Sequence, residues 1–149
     1  MKNLFQAEAV EEISQRLEKL NSTSQRQWGK MNVAQMLAHC SCSLRTATGE
    51  TNPPRIFIGR IIGPLAKPMF SNEKPFQKNT PTDKSFIVSD ERDFEKEREE
   101  LKTLINKFHV GGEALCTTHP HSFFGKLTAK EWATGMYKHL DHHFRQFGA

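Results

Sequence analysis

Apolar residues recur at helical spacing in four long segments of the chain, and no segment sustains the period-two alternation of a strand. The first segment covers residues 6–20, with Phe5, Ala9, Ile13, Leu17 and Leu20 as its stripe, and Asn21-Ser22 ends it. The second begins at Asn32, a favourable N-cap, with Gln35 placed to complete a capping box. Its stripe is Val33, Met36, Leu37, Cys40, Leu44 and Ala47, and Gly49 is a natural stop. The third opens near Ser89-Asp90 and runs to Phe108, turning Phe94, Leu101, Leu104, Ile105 and Phe108 inward before Gly111-Gly112. The fourth opens at Thr128, where Thr128 and Glu131 form another capping box.

Four amphipathic helices, each with one face to bury, predict an all-α four-helix bundle formed as a single domain over residues 1–149. The connection between residues 49 and 89 is too long for a bare loop in a compact domain. A short crossover helix is expected there over residues 56–70, interrupted by Pro64 and Pro68. Such a crossover lets the second and third helices run parallel. Residues 55–67 are read as a cover for the core, with a basic lid over the open end of the bundle as the alternative.

Charge and cysteine content narrow the function classes. The formal net charge is +4, but the basic residues are scattered and form no aromatic-interleaved cluster, so no nucleic-acid partner is expected. The longest apolar stretch, residues 56–69, is broken by Gly, Arg, Pro and Lys and is too short to span a bilayer. With no leader-like pattern at the start, the expectation is a cytoplasmic protein without a membrane partner. Three cysteines argue against a disulfide framework. Cys40 and Cys42 face opposite sides of their helix, and Cys40 reads as a core thiol.

The chemistry is concentrated at the end of the chain, in His139-Leu140-Asp141-His142-His143. At about 100° per residue, Trp132, Met136, His139, His143 and Phe147 share one arc, the stripe that faces a core. His142 points away, on the side of Lys138 and Arg145, and reads as a solvated neighbour, with an i, i+3 pair with His139 as the alternative chelate. Two inward imidazoles one turn apart, about 6 Å along the axis, can chelate one divalent ion. The natural third ligand is His39, mid-helix in the second segment and on the flank of its stripe, beside Met36 and Ser43. Three imidazoles leave a coordination position open, as catalytic rather than purely structural sites do. Each ligand should pass its other ring nitrogen to an acceptor that the sequence does not identify. His119 and His121, just before the last helix, read as loop residues about 16 Å or more from this site.

A mid-helix His39, followed by His139-Leu140-Asp141-His142-His143-Phe144-Arg145-Gln146, resembles the DinB/YfiT-like superfamily of four-helix bundles. Much of that superfamily has H-R-G-Q after the second histidine of the pair, where this chain has His143-Phe144-Arg145-Gln146. The chain is more similar to a branch marked by W-G-K-M, H-P-x-F-G-x-L-T and a terminal K-H-L-D-H-H-x-R-Q-F-G. It carries Trp28-Gly29-Lys30-Met31, His119-Pro120-His121-Ser122-Phe123-Phe124-Gly125-Lys126-Leu127-Thr128 and the terminal run from Lys138 to Gly148. The resemblance implies a divalent-metal site, zinc or nickel, held by His39, His139 and His143. Better-known relatives are thiol transferases using bacillithiol or mycothiol and a mycothiol-dependent isomerase. The resemblance therefore implies a small-molecule substrate, with a low-molecular-weight thiol as an optional cosubstrate. A metal-dependent transferase or hydrolase is one expectation, a non-catalytic metal-stabilised module the alternative, and a homodimer is compatible with either.

Overall fold

The computed structural model describes all 149 residues, in five α-helices, one short 3-10 helix and no strands. The α-helices are α1 (Ala7–Glu18), α2 (Val33–Ala47), α3 (Phe57–Ser71), α4 (Phe94–Leu115) and α5 (Ala129–Gln146), with the 3-10 turn at Lys84–Phe86. Both expected capping boxes form. Asn32 Oδ1 accepts from Gln35 N at 2.9 Å while Gln35 Oε1 accepts from Asn32 N at 3.0 Å, starting α2. Thr128 and Glu131 exchange the same pair of bonds at the start of α5. The third predicted segment begins later than expected, at Phe94, because Asp93 rather than Ser89-Asp90 caps it, its side chain accepting from Lys96 N at 2.8 Å. It also runs further, to Leu115, across a break at Gly112, where φ is +54°.

α1 packs on α4 and α5, and α2 packs on the same two helices, so the four close a ring around the core. End-to-end contacts give their directions. Gln35 Nε2 donates to Asp90 O at 3.1 Å and Thr117 N donates to Ala47 O at 2.9 Å, so α2 and α4 run parallel. Leu4 N donates to Ala133 O at 3.2 Å and Arg16 Nη1 to Asp141 Oδ1 at 2.8 Å, so α1 and α5 also run parallel. The α2–α5 pair is antiparallel: His39 meets His139, and Gln146 reaches back to Trp28, before α2 begins. Every residue of the predicted α2 and α4 stripes is buried, and Trp132, Phe108 and Phe144 are the largest side chains fully enclosed.

The crossover differs from its expected form. α3 is one continuous helix through Pro64 and Pro68 rather than an interrupted one. Both prolines are exposed, as is Arg60; the carbonyls of Arg60 and Pro64, four residues before each proline, lose their helical donor. Only small residues and one ring are buried: Gly59, Gly63 and Phe70. A Cβ on Gly59 would lie 2.7 Å from Phe123 O, and one on Gly63 would collide with the same carbonyl. Phe70 lies where a side chain at Gly135 of α5 would otherwise stand. α3 is thus seated on backbone, and its larger apolar side chains point outward.

A Gly→Ala change in an exposed helix interior ordinarily stabilises by about 1 kcal/mol. Gly63→Ala should do the opposite, because the obstacle is a backbone carbonyl that must move, with a cost of roughly 1–3 kcal/mol. The urea midpoint of the variant measures it, and a rise in midpoint would contradict the seating described.

Candidate metal centre

The antiparallel crossing of α2 and α5 brings His39 against both His139 and His143. Ring centroids lie 4.8 Å apart for His39–His139, 4.8 Å for His39–His143 and 4.6 Å for His139–His143. One nitrogen of each ring falls within 4.8 Å of the others, and the closest pair, the Nε2 atoms of His39 and His139, is 3.0 Å apart. Imidazoles around a tetrahedral zinc, with Zn–N bonds near 2.0–2.1 Å, stand about 3.3 Å apart. The three rings can therefore hold one ion with little adjustment. His39 and His143 are buried and His139 is half-buried.

Hydrogen bonds behind the rings decide which nitrogen faces the centre. His39 Nδ1 lies 2.7 Å from the carbonyl oxygen of Phe86, which can only accept, so this nitrogen carries the proton and Nε2 keeps its lone pair. His143 Nδ1 lies 2.9 Å from Gln146 Oε1. Gln146 is itself oriented, because its Nε2 donates to Trp28 O at 2.7 Å, leaving the oxygen for His143. These are the acceptors that stand behind metal-binding histidines. The two come from the 3-10 turn and from the last turn of α5, the second held in place by the 27–29 loop. Gly29 (φ +81°) admits the Gln146 amide where a Cβ would collide with it, which gives a physical reason for the Trp28-Gly29 pair.

Burial sets the protonation states. Desolvation pushes His143 down to about 3, with His39 adding repulsion. It lowers His39 too, against the opposing bond to Phe86, and holds His139 well below the ordinary histidine range, reinforced by His143 and His39. Neutral rings have lone pairs to give, and neutral imidazole is the form a metal binds.

Neighbouring residues depart from their sequence reading. His121 is not remote: the turn bridging His121 and Gly125 folds back on α5, putting its ring 5.5 Å from Trp132 and 6.3 Å from Phe86, the residue behind His39. Its Nδ1 accepts from Phe123 N and Phe124 N at 3.0 and 3.3 Å, so Nε2 carries the proton, and burial depresses its pKa to about 4. His119 is exposed, its backbone N–H donating to Thr117 Oγ1. His142 is half-buried rather than fully solvated; its ring has Trp28 and Phe76 as neighbours, at 5.7 and 6.1 Å, and His143 at 5.1 Å. Lys138, expected on the solvated side, is buried, because α3 arrives on that side of α5. Its Nζ donates to Met69 O at 2.7 Å and Asn72 Oδ1 at 3.0 Å, capping α3, and burial lowers its pKa to about 8. Cys40 is buried and its thiol is held protonated. The signal for Gln146 was present, three residues after His143; the Phe86 carbonyl has no side-chain signature at all.

A family model described as "Protein of unknown function (DUF1569)" matches residues 2–149, so the chain belongs to that family. No curated protein and no solved structure matches it.

The buried histidines make the metal-free protein sensitive to acid. The folded chain keeps them neutral while the unfolded chain takes up protons near 6.5, so their contribution is complete above that pH and is lost below it. The loss continues down to about 4 for His121 and about 3 for His143, each at on the order of 1 kcal/mol per pH unit. The urea midpoint of chelator-treated protein should fall steadily as pH drops below about 6.5; a flat profile would contradict neutral burial.

Proposed function

We propose that this DUF1569 member is a divalent-metal protein of DinB/YfiT-like four-helix-bundle type, with one ion held by His39, His139 and His143. The observation carrying this reading is the convergence of three neutral imidazoles, two of them aimed by acceptors behind their Nδ1 atoms. A core needs no such arrangement to exclude water. Apolar side chains of similar volume fill space without three buried polar rings, each of which loses its hydration on folding. The ring of α1, α4, α2 and α5, with α3 as crossover, supports the bundle assignment, and the chain's His-triad pattern supports the superfamily.

The activity proposed is metal-dependent transfer of a low-molecular-weight thiol, or hydrolysis, on a small molecule, with zinc or nickel as the ion. A divalent ion in an open three-histidine site lowers the pKa of a bound water or thiol and polarises an incoming group. The protein's own part is positional. Phe86 O and Gln146 Oε1 fix the tautomers of His39 and His143, so no proton has to leave Nε2 when these rings coordinate. Trp132, Met136 and Phe144 are buried on α5, the helix that carries His139 and His143. His121, protonated on Nε2 and stacked against Phe86 and Trp132, supports the wall from which His39 is aimed.

Untagged protein should purify with about one divalent ion per chain, read by elemental mass spectrometry. His143→Ala should abolish retention. Gln146→Ala, which leaves all three ligands in place, should weaken affinity by about 10–100-fold. Protein without an ion, whose zinc and nickel binding is the same in wild type and His143→Ala, would defeat the assignment. If binding persists and only stability depends on it, with no effect on any thiol-transfer or hydrolytic assay, the non-catalytic module is the correct reading.

A further inference from the structure

The outward face of α3 is apolar along its whole length. Phe57 and Leu65 are 78% and 83% exposed, and Ile58, Ile61, Ile62 and Met69 lie between 41% and 59%. Single apolar residues scattered on a surface are ordinary, but a contiguous row marks a contact site. The helix cannot roll to bury this row. Gly59 and Gly63 are pressed on the Phe123 backbone, and Phe70 fills the space over Gly135.

Charge identifies the occupant. Residues 51–86 contain six basic side chains (Arg55, Arg60, Lys67, Lys74, Lys78, Lys84) against two acidic ones (Glu73, Asp83), a net of +4. The whole chain also carries +4, so all its net charge resides in this connection and the rest is balanced. No acidic residue occurs from 51 to 72. A second copy docked symmetrically here would oppose two segments of the same sign. An anionic lipid surface offers apolar depth and the complementary charge together.

We propose that α3 is an interfacial anchor, lying in the plane of an anionic bilayer with Phe57, Ile61 and Leu65 in the headgroup–acyl boundary and Arg60 among the lipid phosphates. Fifteen residues give a rod of about 22 Å, and no helix of the chain is long and apolar enough to cross a membrane, so the contact is peripheral. Such basic segments are attracted to anionic headgroups over roughly a Debye length, and the apolar row then holds them. The proposal is independent of the metal assignment.

The test is co-sedimentation of the full chain with phosphatidylcholine vesicles, with and without phosphatidylglycerol. Binding to the mixed vesicles is expected, weaker at high salt and much weaker to phosphatidylcholine alone. The double substitution Phe57→Ser/Leu65→Ser should lower partitioning by at least about tenfold. Both positions are so exposed that thermal unfolding should be unchanged. Arg60→Glu provides a variant that alters charge alone and should lower binding severalfold. Failure of the wild type to bind anionic vesicles at low salt, or binding indifferent to these substitutions, overturns the proposal. So does a wild-type dimer in sedimentation that the double variant makes monomeric while neither protein binds vesicles, an outcome that gives the face to a second copy.

Discussion

Three imidazoles held neutral where α2 crosses α5, two of them buried and one half-buried, are the constraint on which the rest of this structure depends. Burial alone would leave each ring with an unpaired N–H, at a cost of about 1–3 kcal/mol apiece. For two of the three the fold removes that cost by supplying an acceptor, and each acceptor comes from a different part of the chain. The Phe86 carbonyl is delivered by the 3-10 turn at Lys84–Phe86, which Asp83 starts by accepting from Ser85 N at 3.0 Å. The Gln146 oxygen is delivered by α5 itself, one turn beyond His143. For both to reach the same centre, α2 and α5 must cross antiparallel, and the connection from α2 to α4 must return to the middle of α2. The long crossover is therefore as much a support of the site as a link between helices.

How much of this was legible follows from what leaves a trace in side-chain pattern. Helical period and caps identified four of the five long helices, and placed the starts of α2 and α5 to the residue because Asn32-Gln35 and Thr128-Glu131 are local signals that tertiary contacts did not override. α4, without such a box, starts later and ends later than its pattern indicated. Phase alone separated His139 and His143 from His142, while position along two helices made His39 a candidate partner and the resemblance to a His-triad family was needed to choose it. The group of three was readable. What stands behind it was not: a backbone carbonyl such as Phe86 O has no residue-type signature, and only the fold brings it to His39. His121 and Lys138 depart from their readings for different reasons: His121 was placed by rise along the last helix, which takes no account of the 121–125 turn folding back, and Lys138 by helical phase. Helical phase gives direction relative to a core, and it cannot register a fifth helix arriving on the opposite side of α5. Once α3 and the 121–125 turn cover that side, a lysine on the polar face becomes a buried cap.

α3 inverts the pattern rule in a second way. Its apolar residues are abundant enough that a core-facing role is the natural reading, yet the face it turns to the protein is made of glycines. Close approach to the Phe123 backbone requires small residues, and that requirement decides which face is inside. Large side chains are left outside by exclusion rather than by preference. Hydrophobicity thus ranks below steric fit in choosing the orientation of this helix. Its surface is consequently unlike the ion-paired exterior of α1 and α4, where Glu18–Lys102 is a representative contact.

Gln146 shows how the sequence motifs cohere physically. Its amide is used at both ends: the oxygen holds His143, and the nitrogen holds Trp28 O. The amide fits beside the 27–29 loop only because position 29 is glycine, with φ +81°. Gln27 N in turn donates to Gln146 O at 2.8 Å, so the loop before α2 and the last turn of α5 are tied by backbone as well as side chain. Trp28 then packs edge-on against His142, at 5.7 Å, and Lys78 Nζ lies over the Trp28 ring, 4.4 Å from its centroid. The segments Trp28-Gly29 and His143-Phe144-Arg145-Gln146, more than a hundred residues apart, are one structural unit whose product is the direction of a single lone pair. A histidine retained only to fill space would need none of these parts, since any orientation of its ring would serve.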